Sequence, residues 1–245
     1  MIFGWLPQDI STFGPNIDSV IRLVISIVGT ALILAEGTLL AFVIFYRRRE
    51  GQHAFFVRGD SLRQLAWVLI PVIVVIFLDV AIDVRAKPVW ELVKEQSPAP
   101  GLTVKLDAFQ FGWEFTYPGP DGQFGTHDDL VQTTTLTVPT GQVVRLLMTS
   151  KDVIHSFYVP QLRLRQDVLP GREIPAWFEA TQPGTYEIGC SQLCGISHFA
   201  MKGILKVLTP EDYQQWVNQH WSKSAAAGTG KSASGARSPA NGKEG

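Results

Sequence analysis

A chain of 245 residues with 21 Lys and Arg against 22 Asp and Glu has a net charge of −1, which removes any bulk electrostatic case for nucleic acid as a partner. The length suits one ordinary domain plus appendages, and the 2 cysteines exclude a disulfide-rich scaffold. Mean hydropathy is slightly positive, and the apolar residues responsible are concentrated in two N-terminal runs.

Residues 1–16, with Pro7, Gly14 and Pro15, lack the basic start and small-residue cleavage site of a signal peptide and read as an irregular leader. From Ile17 to Tyr46 the chain is almost continuously apolar, longer than the roughly 20 residues a bilayer crossing needs. Arg22 lies near the start of this run and can snorkel to the interface. Glu36 lies inside it and is expected to face protein, as a helix–helix polar contact or a proton-handling group. A second run, Leu65 to Ile82, has Trp67 at its entrance and Pro71 within, with Asp79 and Asp83 toward its exit. Arg47, Arg48, Arg49, Arg58 and Arg63 occupy the connection, which the positive-inside rule assigns to the cytoplasm. Residues 17–84 are therefore expected to form a transmembrane helical hairpin in the lipid bilayer, with both termini extracytoplasmic. Two buried helices of a soluble protein are the alternative.

A linker over residues 85–101 ends in Ser97-Pro98-Ala99-Pro100-Gly101. Over residues 102–208 short alternating segments take over: Thr103–Phe109, Trp113–Tyr117, Thr133–Val138, Val143–Thr149, Ile154–Val159, Ala176–Glu179, Gly184–Gly189 and Gly203–Leu208. Turn residues such as Pro139-Thr140-Gly141 and Gln182-Pro183-Gly184 separate them. Strands with no intervening helix predict an all-β Greek-key sandwich. The acidic stretch 121–129 reads as a hairpin loop, with a calcium site as the alternative. Thr209-Pro210-Glu211-Asp212 starts a short C-terminal helix over residues 209–221, and the Ser/Ala/Gly/Lys-rich residues 222–245 are expected to be disordered.

The chemistry is concentrated in C-S-Q-L-C-G-I-S-H-F-A-M, residues 190–201. Thiolate, imidazole and thioether together form the donor set of a soft metal, copper above all. Two thiolates in one short loop suggest a pair of coppers bridged by both sulfurs. A structural Cys190–Cys194 disulfide is the plain alternative, and it leaves His198 and Met201 without a role. A further imidazole is needed, and His155 lies on a predicted strand whose end a sandwich can bring beside that loop. His53, His127 and His220 lie in the cytoplasmic connection, the acidic loop and the terminal helix.

The motifs D-V-I-H-S-F, L-R-L-R-Q-D-V-L-P-G-R and the loop above, with the architecture from about Ile17 to Trp221, resemble subunit II of haem–copper cytochrome c oxidases. That resemblance implies a cupredoxin-like domain carrying a dinuclear CuA centre of two copper ions. Cys190 and Cys194 would bridge the coppers, His155 and His198 would each supply a terminal imidazole, and Met201 and the Gln192 carbonyl would be weak axial ligands. It further implies that the chain has no catalytic residue of its own. Single electrons would come from cytochrome c or a similar carrier and pass to haem in partner subunit I, among other oxidase subunits, in a bacterial inner membrane. The copper domain would be periplasmic. Phe111 and Trp113 would lie at the electron entry.

Three positions depart from the family pattern. Gln192 stands where a Glu often helps hold magnesium, Phe111 where the family's entry tryptophan stands, and Gln64 where a Glu often lies near a proton path. Asp152, Asp167 and Arg172 are the other charged residues near the site, with docking or turn and ion-pair roles open to them. Three other readings compete: a CuA subunit of a nitric oxide reductase, a copper chaperone with a thioredoxin-like fold, and a copper-free quinol-oxidase subunit.

Overall fold

Pro15 presets a helical φ in the first turn, and the Leu/Ile/Val run behind it sustains α1, Gly14–Phe45. α2, Leu62–Trp90, starts on Ser61, whose hydroxyl accepts the Gln64 N–H at 3.3 Å. The computed structural model describes residues 6–53 and 56–230, the stretch 222–230 by backbone alone. At 32 and 29 residues the helices are ~45 Å long, more than the ~30 Å of a hydrocarbon core. Leu32, Ile33, Phe45 and Phe77 are more than half exposed, and the most apolar stretch of each helix buries nothing. An outward apolar surface of this kind belongs to a hairpin solvated by lipid.

α2 outruns the expected end of the hairpin at residue 84. It passes through Pro88 and closes in a π-helical turn over Glu91–Glu95, with the Gln96 N–H donating to the Glu91 carbonyl at 2.8 Å. Most of the expected linker 85–101 is therefore helical. Arg85, Ala86 and Lys87, good helix formers, precede Pro88, and a Lys87–Glu91 pair at 3.9 Å spans the position.

The second unit is a sandwich of two five-stranded sheets. Its strands are β1 (Leu102–Phe109), β2 (Gly112–Tyr117), β3 (Leu130–Thr133), β4 (Thr135–Pro139), β5 (Val143–Ser150), β6 (His155–Val159), β7 (Leu164–Val168), β8 (Ile174–Glu179), β9 (Gly184–Cys190) and β10 (Lys202–Leu208). One sheet runs β3-β2-β1-β5-β8 and the other β4-β10-β9-β6-β7, antiparallel except for the parallel pairs β1/β5 and β4/β10. This is the cupredoxin-like Greek-key sandwich expected. Alternation explains the core: Val104, Leu106 and Ala108 of β1 face inward with Val144, Leu146 and Met148 of β5. Each of the larger of these side chains, fully buried, contributes about 1.5–3 kcal/mol.

Two strands escaped the sequence pattern. The segment expected over Thr133–Val138 divides at Thr134, whose φ of 73° turns the chain between β3 and β4. β7 was hidden in a charged, weakly alternating run. The acidic stretch joins β2 to β3 as a hairpin loop whose carboxylates accept from its own donors, Thr126 Oγ1 to Asp128 at 2.7 Å and Gly125 N–H to Asp129 at 2.7 Å.

Residues 7–12, expected as leader, belong to the sandwich. The Ile10 N–H donates to the Gln161 carbonyl at 3.0 Å, the Thr181 N–H donates to the Ile10 carbonyl at 2.8 Å, and Ile10 is fully buried. Residues 1–5 lie outside the described residues. At the other end α3 runs Pro210–Gly230, capped by Thr209 Oγ1 accepting the Asp212 N–H at 3.2 Å. It outlasts the expected end at Trp221, in line with the high helix propensity of Ala225, Ala226 and Ala227. The expected disordered tail therefore begins no earlier than 231, and residues 231–245 lie outside the described residues. Trp216 anchors α3 against Tyr117 at 5.4 Å.

Candidate metal centre

His155 opens β6 and Cys190 closes β9, and these strands are hydrogen-bonded neighbours with Phe157 opposite Cys190. The ladder therefore places both side chains at one end of the sheet. Cys194 follows in the loop to β10, His198 opens a short 3₁₀ turn, and Met201 ends the loop, where its carbonyl accepts the Cys190 N–H at 3.2 Å. That bond closes the loop on its own base.

All six of the expected donors converge. The Cys190 and Cys194 sulfurs lie 3.8 Å apart, with His155 Nδ1 4.0 Å from the first and His198 Nδ1 3.5 Å from the second. Met201 Sδ is 3.8 Å from Cys194 Sγ, and the Gln192 carbonyl oxygen is 3.3 Å from Cys190 Sγ. Donors that share a metal at about 2.0–2.3 Å sit about 3–4 Å from one another, so the spacing suits metal binding. Both cysteines are free thiols, which sets aside the structural disulfide. His155 is fully buried, and Cys194 and Met201 nearly so.

Electrostatics favour a cation in this cluster. Burial, and then the neighbouring Cys190 sulfur, push the Cys194 thiol up to about 11, so two facing thiolates form readily only when a cation compensates them. The soft donor set and its enclosure fit copper.

Residues beyond the expected ligands hold this arrangement. Asp152 Oδ1 is 2.8 Å from His155 Nε2, which leaves Nδ1 facing Cys190. Asp152 also accepts the Gln110 N–H at 2.7 Å and the Val153 N–H at 2.6 Å. Burial works to raise its carboxyl, but the hydrogen bonds from His155, Gln110 and Val153 outweigh it and hold it below the ordinary value. Arg165, on the unforeseen β7, donates to Ser191 Oγ at 2.7 Å and so ties that strand to the base of the loop. Asp167 is half-exposed, 3.7 Å from Arg165, and Arg172 is exposed.

Of the expected entry residues, Phe111 is half-buried in the β1–β2 turn against Gly195. Trp113 is fully buried, edge-on to His155 at 6.2 Å and to Phe157 at 5.7 Å. Its ring cannot meet a donor at the surface. The outer side of the loop is apolar instead, with Leu193, Ile196 and Phe199 all more than three-quarters exposed. Gln110 and the hydrogen-bonding role of Asp152 were not foreseen. The signal available for Asp152 was a carboxylate three residues before a candidate ligand histidine.

Comparison with known proteins places this geometry among its relatives. The family model described as "Cytochrome C oxidase subunit II, periplasmic domain" matches residues 102–208. The chain is 32% identical to a cytochrome c oxidase subunit 2 of Thermostichus vulcanus, over 89% of this chain and 79% of the relative. It is 31% identical to a probable cytochrome c oxidase subunit 2 of Rickettsia prowazekii, over 78% of this chain and 64% of that relative. Among solved structures, the periplasmic domain of subunit II of cytochrome oxidase from Bradyrhizobium japonicum is 26% identical, with a TM-score of 0.47, covering 52% of this chain and 99% of that one.

Proposed function

From the premise that this chain belongs to the cytochrome c oxidase subunit II family, we propose that it is the electron-entry subunit of a haem–copper terminal oxidase. The observation that carries the reading is the convergence of two free thiols, two imidazoles and a thioether at one end of a rigid sandwich. Cys190, Cys194, His155 and His198, with Met201 and the Gln192 carbonyl beside them, would hold a pair of coppers. Once bound, the copper pair supplies one-electron storage, and the chain's own residues make that step cheap. Asp152 fixes the tautomer and direction of His155, and the β6/β7 and β6/β9 ladders hold His155 and Cys190 still. The buried Trp113 keeps water from the His155 side.

Electrons arrive singly from cytochrome c or a similar carrier and leave for haem in a partner subunit, where oxygen reduction coupled to proton pumping takes place. Phe111, at the edge of the loop, is the outer entry group, with Trp113 as an inner one. The arginine-bearing connection between α1 and α2 faces the cytoplasm, so both chain ends and the sandwich lie on the periplasmic side of the inner membrane. The domain plan is a membrane hairpin, a copper-binding sandwich and a terminal helix.

The test is copper stoichiometry with electron paramagnetic resonance on the purified complex. Two coppers per chain with a mixed-valence signal are expected, whereas a single labile copper returns the chain to a chaperone role. The β-sandwich already argues against the thioredoxin-like fold of that alternative, and the complete donor set argues against a copper-free quinol-oxidase subunit. The haems of the co-purifying large subunit separate an oxidase from a nitric oxide reductase.

A further inference from the structure

Gln110 sits in the turn between β1 and β2, outside both the loop that carries Cys194 and the strand that carries His155. Its side-chain amide nevertheless donates to the Cys194 carbonyl at 2.5 Å, and its backbone N–H donates to Asp152 Oδ2 at 2.7 Å. The other oxygen of the same carboxylate bonds His155 Nε2 at 2.8 Å. A continuous path, His155–Asp152–Gln110–Cys194, thus joins a strand-borne imidazole to a loop-borne thiol without passing through the metal position.

The loop is shaped to receive this turn. Gly195 has a φ of 145°, and a Cβ there would lie 2.8 Å from Gln110 Nε2 and 3.0 Å from the Phe111 ring. The glycine lets the turn rest directly on the backbone beside Cys194, and it also leaves that backbone without steric restraint. A hydrogen bond to the Cys194 carbonyl supplies the restraint. It fixes the peptide plane between Cys194 and Gly195, and with it the direction in which the Cys194 sulfur leaves the backbone. The bond from the Gln110 N–H to an ionised carboxylate is charge-assisted and holds the turn firmly.

We propose that Gln110 is a positioning residue for the metal centre, clamping Cys194 in register with His155 through Asp152. The inference rests on the two-copper reading above.

The test uses the full chain in its purified complex, with Gln110→Met, which has similar length and no donor, and Gln110→Glu, which presents acceptors in place of the amide donor. Measurements are the rate of copper loss to a chelator, the copper hyperfine pattern and the reduction potential. The expected result is a tenfold to hundredfold faster or more complete copper loss, with an altered hyperfine pattern. Asp152→Asn should give a related change, and the double variant Gln110→Met/Asp152→Asn should fall short of the sum of the singles because both act on one path. If Gln110→Met lowers thermal stability while the hyperfine pattern, potential and chelator resistance stay as in the parent, the contact is mere packing and the clamp is overturned. Strictly additive effects would overturn the link through Asp152. A parent complex without a two-copper signature overturns the functional reading, and the clamp with it.

Discussion

His155 and Cys190 reach the metal position from hydrogen-bonded strands, whereas Cys194, His198 and Met201 reach it from the loop between β9 and β10. The strand-borne pair inherits its geometry from the sheet. The β6/β9 and β6/β7 ladders fix the backbone, and neighbours such as Trp113 and Phe157 fill the space behind. The loop-borne group has no ladder. Its geometry comes from single contacts: the Cys190 N–H on the Met201 carbonyl, Arg165 on Ser191, and the Gln110 amide on the Cys194 carbonyl. A strand ligand is therefore protected by many cooperative bonds and a loop ligand by a few separable ones. Disturbances to the two halves should consequently differ in kind.

The largest effect removes a donor from either half. Cys194→Ser takes away one proposed donor sulfur and His155→Ala one proposed donor imidazole, and on the two-copper reading each should abolish the mixed-valence signal. Cys194→Ser should leave the sandwich folded, because serine is close to cysteine in size and no strand ladder passes through residue 194. His155→Ala should also lower thermal stability, since it empties a fully buried site at about 1–3 kcal/mol. A mixed-valence signal that persists in both variants would remove the ligand assignment.

The same contrast governs what could be read from sequence. The cluster of candidate donors was legible because their chemistry is rare: both cysteines, a histidine and a methionine fall within residues 190–201, and His155 was the one remaining histidine in a suitable setting. The α1/α2 hairpin was legible because lipid demands continuous apolarity. The supports were not, because they are long-range and chemically ordinary. Gln110 is 84 residues from the carbonyl it holds, and nothing local distinguishes it from any turn glutamine. Asp152 was a charged residue near the site whose partner only the fold reveals. β7 was missed since Arg165, Gln166 and Asp167 break its alternation, and the break at Thr134 depends on a positive φ that threonine rarely adopts. The segment 7–12 looked irregular because its order is supplied by Gln161 and Thr181, far away in the chain.

Next in size is a substitution at the loop's weakest point. Gly195→Ala adds a Cβ at a φ of 145°, against Gln110 and the Phe111 ring. Strain of this kind costs of order 1–3 kcal/mol, and here the loop can release it by moving Cys194. The expected outcome is a copper affinity lowered tenfold or more with a thermal midpoint close to that of the parent, measured by chelator titration and calorimetry of the metal-free chain. Trp113→Phe makes the opposite disturbance behind the strand-borne half. The Trp113 indole N–H has no hydrogen-bond partner among the described residues, so mainly volume is lost, at about 2 kcal/mol and a few degrees of thermal midpoint. Copper content and hyperfine pattern should stay unchanged. If Gly195→Ala destabilises the fold while Trp113→Phe disturbs the copper, the division between a laddered and a latched half is wrong.

Met201→Leu should be the mildest change, and it refines the comparison from within the loop. Met201 is 1% exposed and its sulfur lies 3.8 Å from Cys194 Sγ, so leucine conserves volume and burial and should cost less than about 1.5 kcal/mol. What is lost is a weak thioether donor. Although a thioether is soft, its weak electron donation would stabilise the more oxidised state slightly, so replacing it with a non-donor should raise the reduction potential. The shift should be at most about 60 mV, a tenfold change for one electron, with both coppers retained. The backbone bond from Cys190 to the residue 201 carbonyl is indifferent to the side chain, so the loop should stay closed. Loss of a copper in this variant would mean that the thioether, and not that backbone bond, keeps the loop in place.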